Sequence, residues 1–212
     1  MALTFDAALA ACPLIAILRG VTPEEVVPIG KVLVEAGFCI MQVPLTTPDS
    51  LHSIRRLVDA FGESTVIGAG AVVNERQVTD VARVGGRLID CPSFDETVVR
   101  LTKKYGLAGM PGVATPSELF AATALGATTI KLFPAEMIRP EVVKSLRVVV
   151  PPSIKLVPAG GITPESMAPY FAAGANGFGL GAALYAAGRT PAEVAARAAA
   201  FQSALAALQE AA

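Results

Sequence analysis

One repeated unit dominates this sequence and limits the folds open to it: a helix opener, an amphipathic stretch, a glycine and a short apolar run. The openers are Thr-Pro pairs. A threonine hydroxyl can accept a hydrogen bond from the free amides of the first helical turn, and proline at the first helical position loses no helical bond. A glycine after the stretch readily takes the left-handed conformation that ends a helix. The pairs are Thr22-Pro23, Thr47-Pro48, Thr115-Pro116, Thr163-Pro164 and Thr190-Pro191.

The apolar runs between the predicted helices indicate parallel strands, because they are continuous rather than alternating, as in strands that helices cover on both faces. They span residues 14–19, 40–45, 66–70, 87–91, 108–112, 129–133, 155–158 and 177–180. Eight strands alternating with eight helices fit either a closed (β/α)8 TIM barrel or an open doubly wound sheet. The number eight and the lack of a Gly-x-Gly-x-x-Gly turn after the first strand favour the barrel, as a single α/β domain over residues 1–212.

Composition excludes several function classes. Lysine and arginine number 17 against 18 aspartates and glutamates, so no net positive field attracts nucleic acid. The longest apolar runs stop far short of the roughly 20 residues that a membrane helix needs. The chain starts without the basic residues of a signal peptide, and Asp6 comes early. We therefore expect a cytoplasmic globular protein with no membrane and no nucleic-acid partner.

Metal and cofactor chemistry has little support. Cys12, Cys39 and Cys91 lie far apart and form neither a Cys-x-x-Cys pair nor a disulfide framework. His52 is the only histidine, and it lies in a stretch that predicts an exposed helix. A zinc site and a Ser-His-Asp triad are both disfavoured as a result. We expect neither a metal nor a cofactor.

Lys131 is the residue that most strongly suggests chemistry. Reactive groups of a barrel lie where strands end, and those positions here are Arg19, Gln42, Ala71, Asp90, Pro111, Lys131, Gly160, Gly161 and Gly181. The strand of Lys131 has no other charge. Burial disfavours an ammonium ion, and a free amine is what attack on a ketone requires. A lysine that extends from the strand edge to solvent is the alternative.

Arginine and glycine residues at other strand ends suit an anionic substrate. Arg19 ends the first strand, where a forked cation can bind a carboxylate, although an ion pair within the barrel is equally compatible with that position. Gly160 and Gly161 follow the seventh strand, and Gly181 follows the eighth. Free amides after these two strands commonly bind phosphate in barrels. Tight turns also use glycine, so only the combination is informative.

These residues resemble the KDPG/KDPGal aldolases, the class I 2-keto-3-deoxy-6-phosphogluconate and 6-phosphogalactonate aldolases. The motifs are Pro13-Leu-Ile-Ala-Ile-Leu-Arg-Gly20, Gly68-Ala-Gly70, Pro111-Gly-Val-Ala-Thr-Pro116, Ile130-Lys-Leu-Phe-Pro134, Gly160-Gly-Ile-Thr163 and Gly179-Leu-Gly181. They run in order over essentially the whole chain. The segment Leu18-Arg-Gly-Val-Thr-Pro23 is more similar to the phosphogalactonate branch.

The resemblance implies a homotrimeric barrel enzyme, a lyase that cleaves or forms a phosphorylated 2-keto-3-deoxy sugar acid. The products of cleavage are pyruvate and an aldehyde such as glyceraldehyde 3-phosphate. Lys131 matches the lysine that forms the Schiff base, and no metal is implied. The positions that match substrate-binding residues are Arg19, Gly70, Ala71, Pro111, Phe133, Gly160, Gly161, Gly181 and Ala182.

Several departures from the family fall at predicted site positions. Gln42 stands where the family has a glutamate that acts as general acid/base, and an amide cannot carry that proton. Ala71 replaces the usual threonine, and Ala182 replaces the usual serine of the phosphate loop. Asp90-Cys91-Pro92-Ser93 replaces Val-Thr-Pro-Asn. Altered function is therefore expected, by divergence or by redesign of the pocket.

Asp90 could compensate for the missing glutamate. It could shuttle protons or pair with Lys131, whereas the alternative is a carboxylate that only satisfies loop amides. Cys91 is more typical of a small buried thiol than of a nucleophile. Three functions remain open: a Schiff-base aldolase, a lysine-dependent lyase of another 2-keto acid, and a non-catalytic scaffold homologue. A phosphosugar isomerase or epimerase would not need Lys131.

Overall fold

The computed structural model describes residues 2–210, and within them helices and strands alternate along the chain. The helices are α1 (Phe5–Ala11), α2 (Val26–Glu35), α3 (Ser50–Phe61), α4 (Glu75–Arg83), α5 (Glu96–Lys104), α6 (Pro116–Ala124), α7 (Pro140–Val149), α8 (Pro164–Ala172) and α9 (Pro191–Glu210). The strands are β1 (Leu14–Ile17), β2 (Ile40–Pro44), β3 (Val66–Gly70), β4 (Leu88–Asp90), β5 (Ala108–Met110), β6 (Gly112–Val113), β7 (Thr129–Leu132), β8 (Lys155–Pro158) and β9 (Phe178–Leu180). The predicted alternation is confirmed, and α1 is an additional helix before the first strand.

Three of the five Thr-Pro pairs open helices as predicted. Thr115 and Thr163 are N-caps whose side chains accept from the backbone of the third helical residue, which returns a hydrogen bond to the cap. Thr190 exchanges the same reciprocal hydrogen bonds with Glu193. Each cap satisfies amides that the first helical turn leaves free, so the chain starts these helices locally.

The prediction that the other two pairs open helices directly is wrong. Thr22 exchanges hydrogen bonds with Glu25, but α2 begins only after Glu25. The N-cap of α3 is Asp49, and the hydroxyl of Thr47 instead accepts a hydrogen bond from the amide of Gly20 at 2.9 Å. Thr47 therefore contacts a distant loop instead of capping the helix that follows it. The residues next to Thr47 in the sequence do not predict this contact.

The strands form parallel sheets that curl. One sheet has the order β5-β4-β3-β2-β1-β9, and a second has the order β6-β7-β8. Every ladder is parallel, as the continuous apolar runs predicted. An isolated parallel bridge between Ala159 and Gly179 connects the region after β8 with β9. The α/β fold with a curled parallel sheet is thus confirmed.

The predicted strand 108–112 is divided into β5 and β6 at Pro111. Proline has no backbone N–H to donate to a ladder, so regular pairing is interrupted there. Its carbonyl still accepts a hydrogen bond from the amide of Lys131, at 3.0 Å. β5 pairs with β4, and β6 pairs with β7, so the break passes the chain from one sheet to the other.

An apolar cluster fills the inside of the curled sheet at its amino-terminal edge. It joins residues of α1 to inward-facing residues of the strands: Ala8, Leu9, Ile15, Ile40, Val66, Leu88, Met110 and Val157. These side chains are nearly or fully buried. Helix α1 therefore closes the end of the sheet opposite to the end at which the strands finish, and burying its apolar residues there stabilises the fold.

The Ala-rich end of the sequence predicts a last helix over 192–212 with an apolar face of Val194, Phe201, Leu205 and Leu208. The helix spans Pro191–Glu210, while residues 211 and 212 lie outside the described part of the chain. Val194, Phe201 and Leu205 are buried, and Leu208 is partly buried against the core. None of the helices within residues 2–210 is long and apolar enough to cross a membrane.

Candidate active site

Three polar side chains from three different strands meet inside the curled sheet. Lys131 on β7 places its Nζ 2.9 Å from Oδ1 and 3.0 Å from Oδ2 of Asp90, the last residue of β4. Gln42 on β2 donates from Nε2 to the same Oδ2 at 2.9 Å. The exposed fractions of Lys131, Asp90 and Gln42 are 6%, 0% and 1%. The structure therefore joins three of the predicted site residues in one hydrogen-bonded cluster.

Strand register explains why these residues meet. In the ladders, Gln42 pairs with Gly68 of β3 and Lys131 pairs with Gly112 of β6. Side chains alternate between the two faces of a strand, so Leu88 and Asp90 share one face. Leu88 belongs to the apolar cluster inside the sheet. Asp90 therefore points inward as well, one layer closer to the carboxyl end of the strands.

Burial and charge act in opposite directions on Asp90. Burial raises the pKa of Asp90, because the carboxylate is removed from water; the charge of Lys131 and the hydrogen bonds from Lys131 and Gln42 favour the carboxylate but do not cancel that effect. The carboxyl of Asp90 therefore holds a proton more readily than an exposed aspartate does, and Nζ of Lys131 lies within hydrogen-bond distance of it.

Phe133 contacts the side chain of Lys131, and Pro111 contacts its backbone. The ammonium lies 4.8 Å from the centre of the Phe133 ring, which is within the range of a cation–π contact. The Pro111 carbonyl accepts from the Lys131 amide, as described above. Both were predicted site residues, and both position the lysine.

The two residues after Ala69 shape the space beside Gln42. A Cβ added to Gly70 would lie 2.1 Å from Oε1 of Gln42, so this position has no room for a side chain. Ala71 follows with φ +56°, a left-handed conformation that is strained for a residue with a Cβ. Oε1 of Gln42 is buried and has no hydrogen-bond partner among residues 2–210.

Arg19 lies outside the cluster but acts on it electrostatically. It is exposed, two residues beyond β1, and donates from Nη1 to Oγ1 of Thr46 at 3.0 Å. Its charge also lowers the pKa of Asp90, as the weakest of the contributing causes. Sequence reasoning missed Thr46, because a threonine beside a Thr-Pro pair is typical of a helix opener.

The predicted phosphate loops lie next to each other. The Ala159–Gly179 bridge brings Gly160 and Gly161 close to the segment that leads to Gly181 and Ala182. Among the described residues, no hydrogen bond links these loops to Lys131. The structure thus pairs the loops with each other and leaves them outside the hydrogen-bonded cluster.

Glu136 is a second residue that sequence reasoning missed. A Cβ added to Gly160 or Gly161 would lie 2.5 Å or 3.0 Å from a carboxylate oxygen of Glu136. Gly160 and Gly161 have φ +104° and +64°, values that favour glycine. Glu136 lies three residues after Phe133, in the loop that follows β7. That position after a strand could have marked it as a candidate site residue.

The family of the chain can be stated on sequence similarity. The family model of the KDPG and KHG aldolases matches residues 5–198. This protein belongs to the KDPG and KHG aldolase family. The family resemblance found in the motifs is therefore confirmed.

Individual relatives within this aldolase family agree. A 2-dehydro-3-deoxy-6-phosphogalactonate aldolase of Escherichia coli (strain K12) is 42% identical over 189 residues, which are 89% of this chain and 92% of that protein. A solved structure of native KDPGal has a TM-score of 0.92 at 40% identity, and the match covers 93% of this chain and 96% of that one.

A more distant aldolase structure is also similar to this chain. It is KDPG aldolase from Legionella pneumophila, with pyruvate captured at low pH as a covalent carbinolamine intermediate. Its TM-score is 0.80 at 25% identity, covering 95% of this chain and 96% of that one. Identity is higher to the phosphogalactonate enzymes, as the segment around Arg19 predicted.

Other features of this aldolase family member are less suited to chemistry. Cys91 follows Asp90, and burial, followed by the Asp90 charge, raises the pKa of its thiol to about 12. Such a thiol is not a nucleophile at neutral pH. Within residues 2–210, no group of three or more His, Cys, Asp or Glu side chains could hold a metal ion. A cavity of about 490 Å³ is lined by residues of α1 and α5, and Pro111 is the one predicted site residue that it touches.

Proposed function

We propose that this protein is a class I aldolase that cleaves or forms a 2-keto-3-deoxy-(6-phospho) sugar acid through a Schiff base on Lys131. The observation that carries the proposal is the buried contact of Nζ with both carboxylate oxygens of Asp90. A buried lysine beside a group that can take its proton is suited to nucleophilic attack on a carbonyl. The names of the similar enzymes supply the substrate class.

Lys131 must lose a proton before it can attack. Asp90 takes it from Nζ, and burial, which raises the pKa of Asp90, favours that transfer. The lone pair of Nζ then attacks the C2 carbonyl carbon of the keto acid. Asp90 returns its proton to the C2 oxygen, and Nζ gives one of its two remaining protons to the same oxygen, which then leaves as water. The resulting iminium, with one proton on Nζ, withdraws electrons from the carbon chain.

Carbon–carbon cleavage follows from the iminium. The Asp90 carboxylate removes the proton of the C4 hydroxyl, the C3–C4 bond breaks, and its electron pair passes to the iminium to give an enamine. The aldehyde departs. Asp90 then delivers its proton to C3, and water hydrolyses the iminium to release pyruvate and restore the lysine. In this scheme Asp90 is the general acid/base that Gln42 cannot be.

The two ends of the substrate would be bound by different groups. Arg19 supplies a forked cation for the carboxylate of the pyruvate half. Gly160, Gly161, Gly181 and Ala182 present backbone amides for a terminal phosphate. The positive φ angles of Gly160 and Gly161 favour glycine at both positions. Aldehydes such as glyceraldehyde 3-phosphate fit this arrangement.

Reduction with borohydride in the presence of pyruvate tests the proposal. We expect a stable adduct that peptide mapping places on Lys131, because borohydride reduces the iminium to an amine that cannot hydrolyse. Lys131→Arg keeps the positive charge, and its guanidinium is not deprotonated in proteins, so this variant should give no adduct. Lys104→Met removes an exposed lysine and should leave the adduct intact.

A folded protein without an adduct on Lys131 would exclude the Schiff base. The scaffold homologue would then be the better description. An adduct without release of pyruvate from any 2-keto-3-deoxy sugar acid would instead point to a lyase of another 2-keto acid.

We further infer that the two sheets form one closed (β/α)8 barrel and that the chain is a single domain. The Ala159–Gly179 bridge supports closure on one side. On the other side, only Pro111 separates β5 from β6. The apolar cluster inside the sheet draws residues from β1, β2, β3, β4, β5 and β8, as a common interior requires.

We also infer a homotrimer in the cytoplasm. Exposed apolar side chains on α7 and just before it support assembly: Met137, Val142, Val148 and Val149. Contiguous exposed apolar surface marks contact between proteins, and the number three comes from the family resemblance. The three free cysteines within residues 2–210 are compatible with a reducing compartment.

A further inference from the structure

We propose that Gln42 is a positioning residue that acts through Asp90: as a neutral hydrogen-bond donor, it keeps a single carboxylate available to Lys131. This inference rests on the proposed Schiff-base function and assigns a role that the amide plays without touching the reacting atoms. The contact that carries it is Nε2 of Gln42 to Oδ2 of Asp90, at 2.9 Å and fully buried.

The orientation of the Gln42 amide follows from this contact. An ionised carboxylate only accepts hydrogen bonds, so the NH2 end of the amide must face Asp90. The other end, Oε1, then lies against Gly70, where an added Cβ would be 2.1 Å away. Oε1 has no partner among residues 2–210. A buried acceptor without a partner is costly, so the amide gives up one hydrogen bond to satisfy the carboxylate.

The second reason lies in the count of charges around Asp90. The ionisable groups that act on it are Lys131 on β7 and Arg19 after β1. The neighbouring thiol of Cys91 is itself affected by the Asp90 charge, which helps to raise its pKa. Lys131 is the one cation in hydrogen-bond contact with it among residues 2–210. A second carboxylate at position 42 would meet Oδ2 of Asp90 where a donor now stands. Two carboxylates at that separation share one proton.

Gln42→Glu restores the residue that the family resemblance leads one to expect, and we predict that it impairs this protein. The acidic limb of the kcat/KM profile for cleavage should move upward by about one pH unit or more, because a neighbouring carboxylate raises the pKa of Asp90. At neutral pH the rate should fall about 10²-fold, the scale of losing one acid/base group.

A double variant tests the coupling directly. Gln42→Glu/Asp90→Asn exchanges acceptor and donor, so that one carboxylate and one amide again face each other beside Lys131. Its acidic limb should return toward that of the unsubstituted protein, and its rate at neutral pH should exceed that of Gln42→Glu at least tenfold. Gln77→Glu is the matched control, since the side-chain oxygen at 77 only accepts from the Val73 amide on the surface.

Each outcome decides the proposal. If Gln42→Glu keeps the acidic limb and rate of the unsubstituted protein, or if the double variant is no faster than Gln42→Glu, the coupling is refuted. If Gln42→Glu does not fold, Gln42→Met replaces it: loss of the donor should still move the acidic limb upward, and an unmoved limb refutes the proposal. Trapping of pyruvate on Lys131 in the unsubstituted protein shows whether the Schiff-base function holds. A refuted Gln42–Asp90 coupling can then be distinguished from a refuted Schiff-base function.

Discussion

Asp90 is the residue on which the candidate site depends most. Its carboxylate contacts Lys131 and Gln42 at once and is fully buried. From the sequence, a loop-capping aspartate and a partner of Lys131 were both open interpretations. In the structure Asp90 pairs with Lys131, because its side chain points to the same inward face of β4 as Leu88. Its catalytic role stays a prediction.

Asp90→Asn tests that role. The amide keeps the shape of the side chain but cannot exchange the proton that the reaction requires, so kcat for cleavage should fall on the order of 10²–10⁴-fold. Steady-state release of pyruvate measures it, with circular dichroism to verify folding. The comparison variant is Asp95→Asn at the N-cap of α5, where an asparagine also accepts from the backbone and activity should persist. Unchanged kcat in Asp90→Asn would leave Asp90 a structural residue.

Among the elements, α7 has both buried and exposed apolar residues. Val143 and Leu146 pack into the core. Val148 and Val149, near the end of the same helix, are 84% and 58% exposed. The charged fraction of 17% is low for the whole chain, but the pattern on α7 alone did not show which side faces the core. Only the packed structure separates the two sides.

The proposed assembly predicts that a charge on α7 dissociates it. Val148→Asp should shift the protein from trimer to monomer, because a carboxylate in an apolar interface loses its hydration without gaining a partner. Sedimentation velocity measures the change. Val73→Asp introduces the same charge at a half-exposed valine before α4 and should leave the trimer intact. A trimer that persists in Val148→Asp would show that this side of α7 is not the interface.

For the whole molecule, the closed barrel predicts cooperative unfolding. Each strand of a closed barrel has two neighbours, so one sheet cannot unfold and leave the other intact. Far-ultraviolet circular dichroism, which follows helices, and near-ultraviolet dichroism from Tyr170 and Tyr185, which are buried, should report one coincident transition. Two separated transitions would contradict both the single domain and the closed barrel.

The sequence by itself determined the α/β alternation, the starts of α6, α8 and α9, and the family. These depend on neighbouring residues: Thr115 caps α6 through Glu118, three positions away, and continuous apolar runs predict parallel strands wherever they lie. It also singled out Lys131, because a charge in an apolar strand is costly without a partner.

Only the tertiary structure decided which partner Lys131 has. Asp90 is 41 positions away, and Gln42 reaches Asp90 across 48 positions. The same holds for Thr47, which contacts Gly20 rather than α3, and for Glu136 against the Gly160–Gly161 turn. Such contacts depend on the register of strands distant in the chain and on the closing of the sheet around its core. The local propensities of residues predict neither the strand register nor the closing of the sheet, because the hydrogen bonds of parallel ladders join residues that only folding brings together.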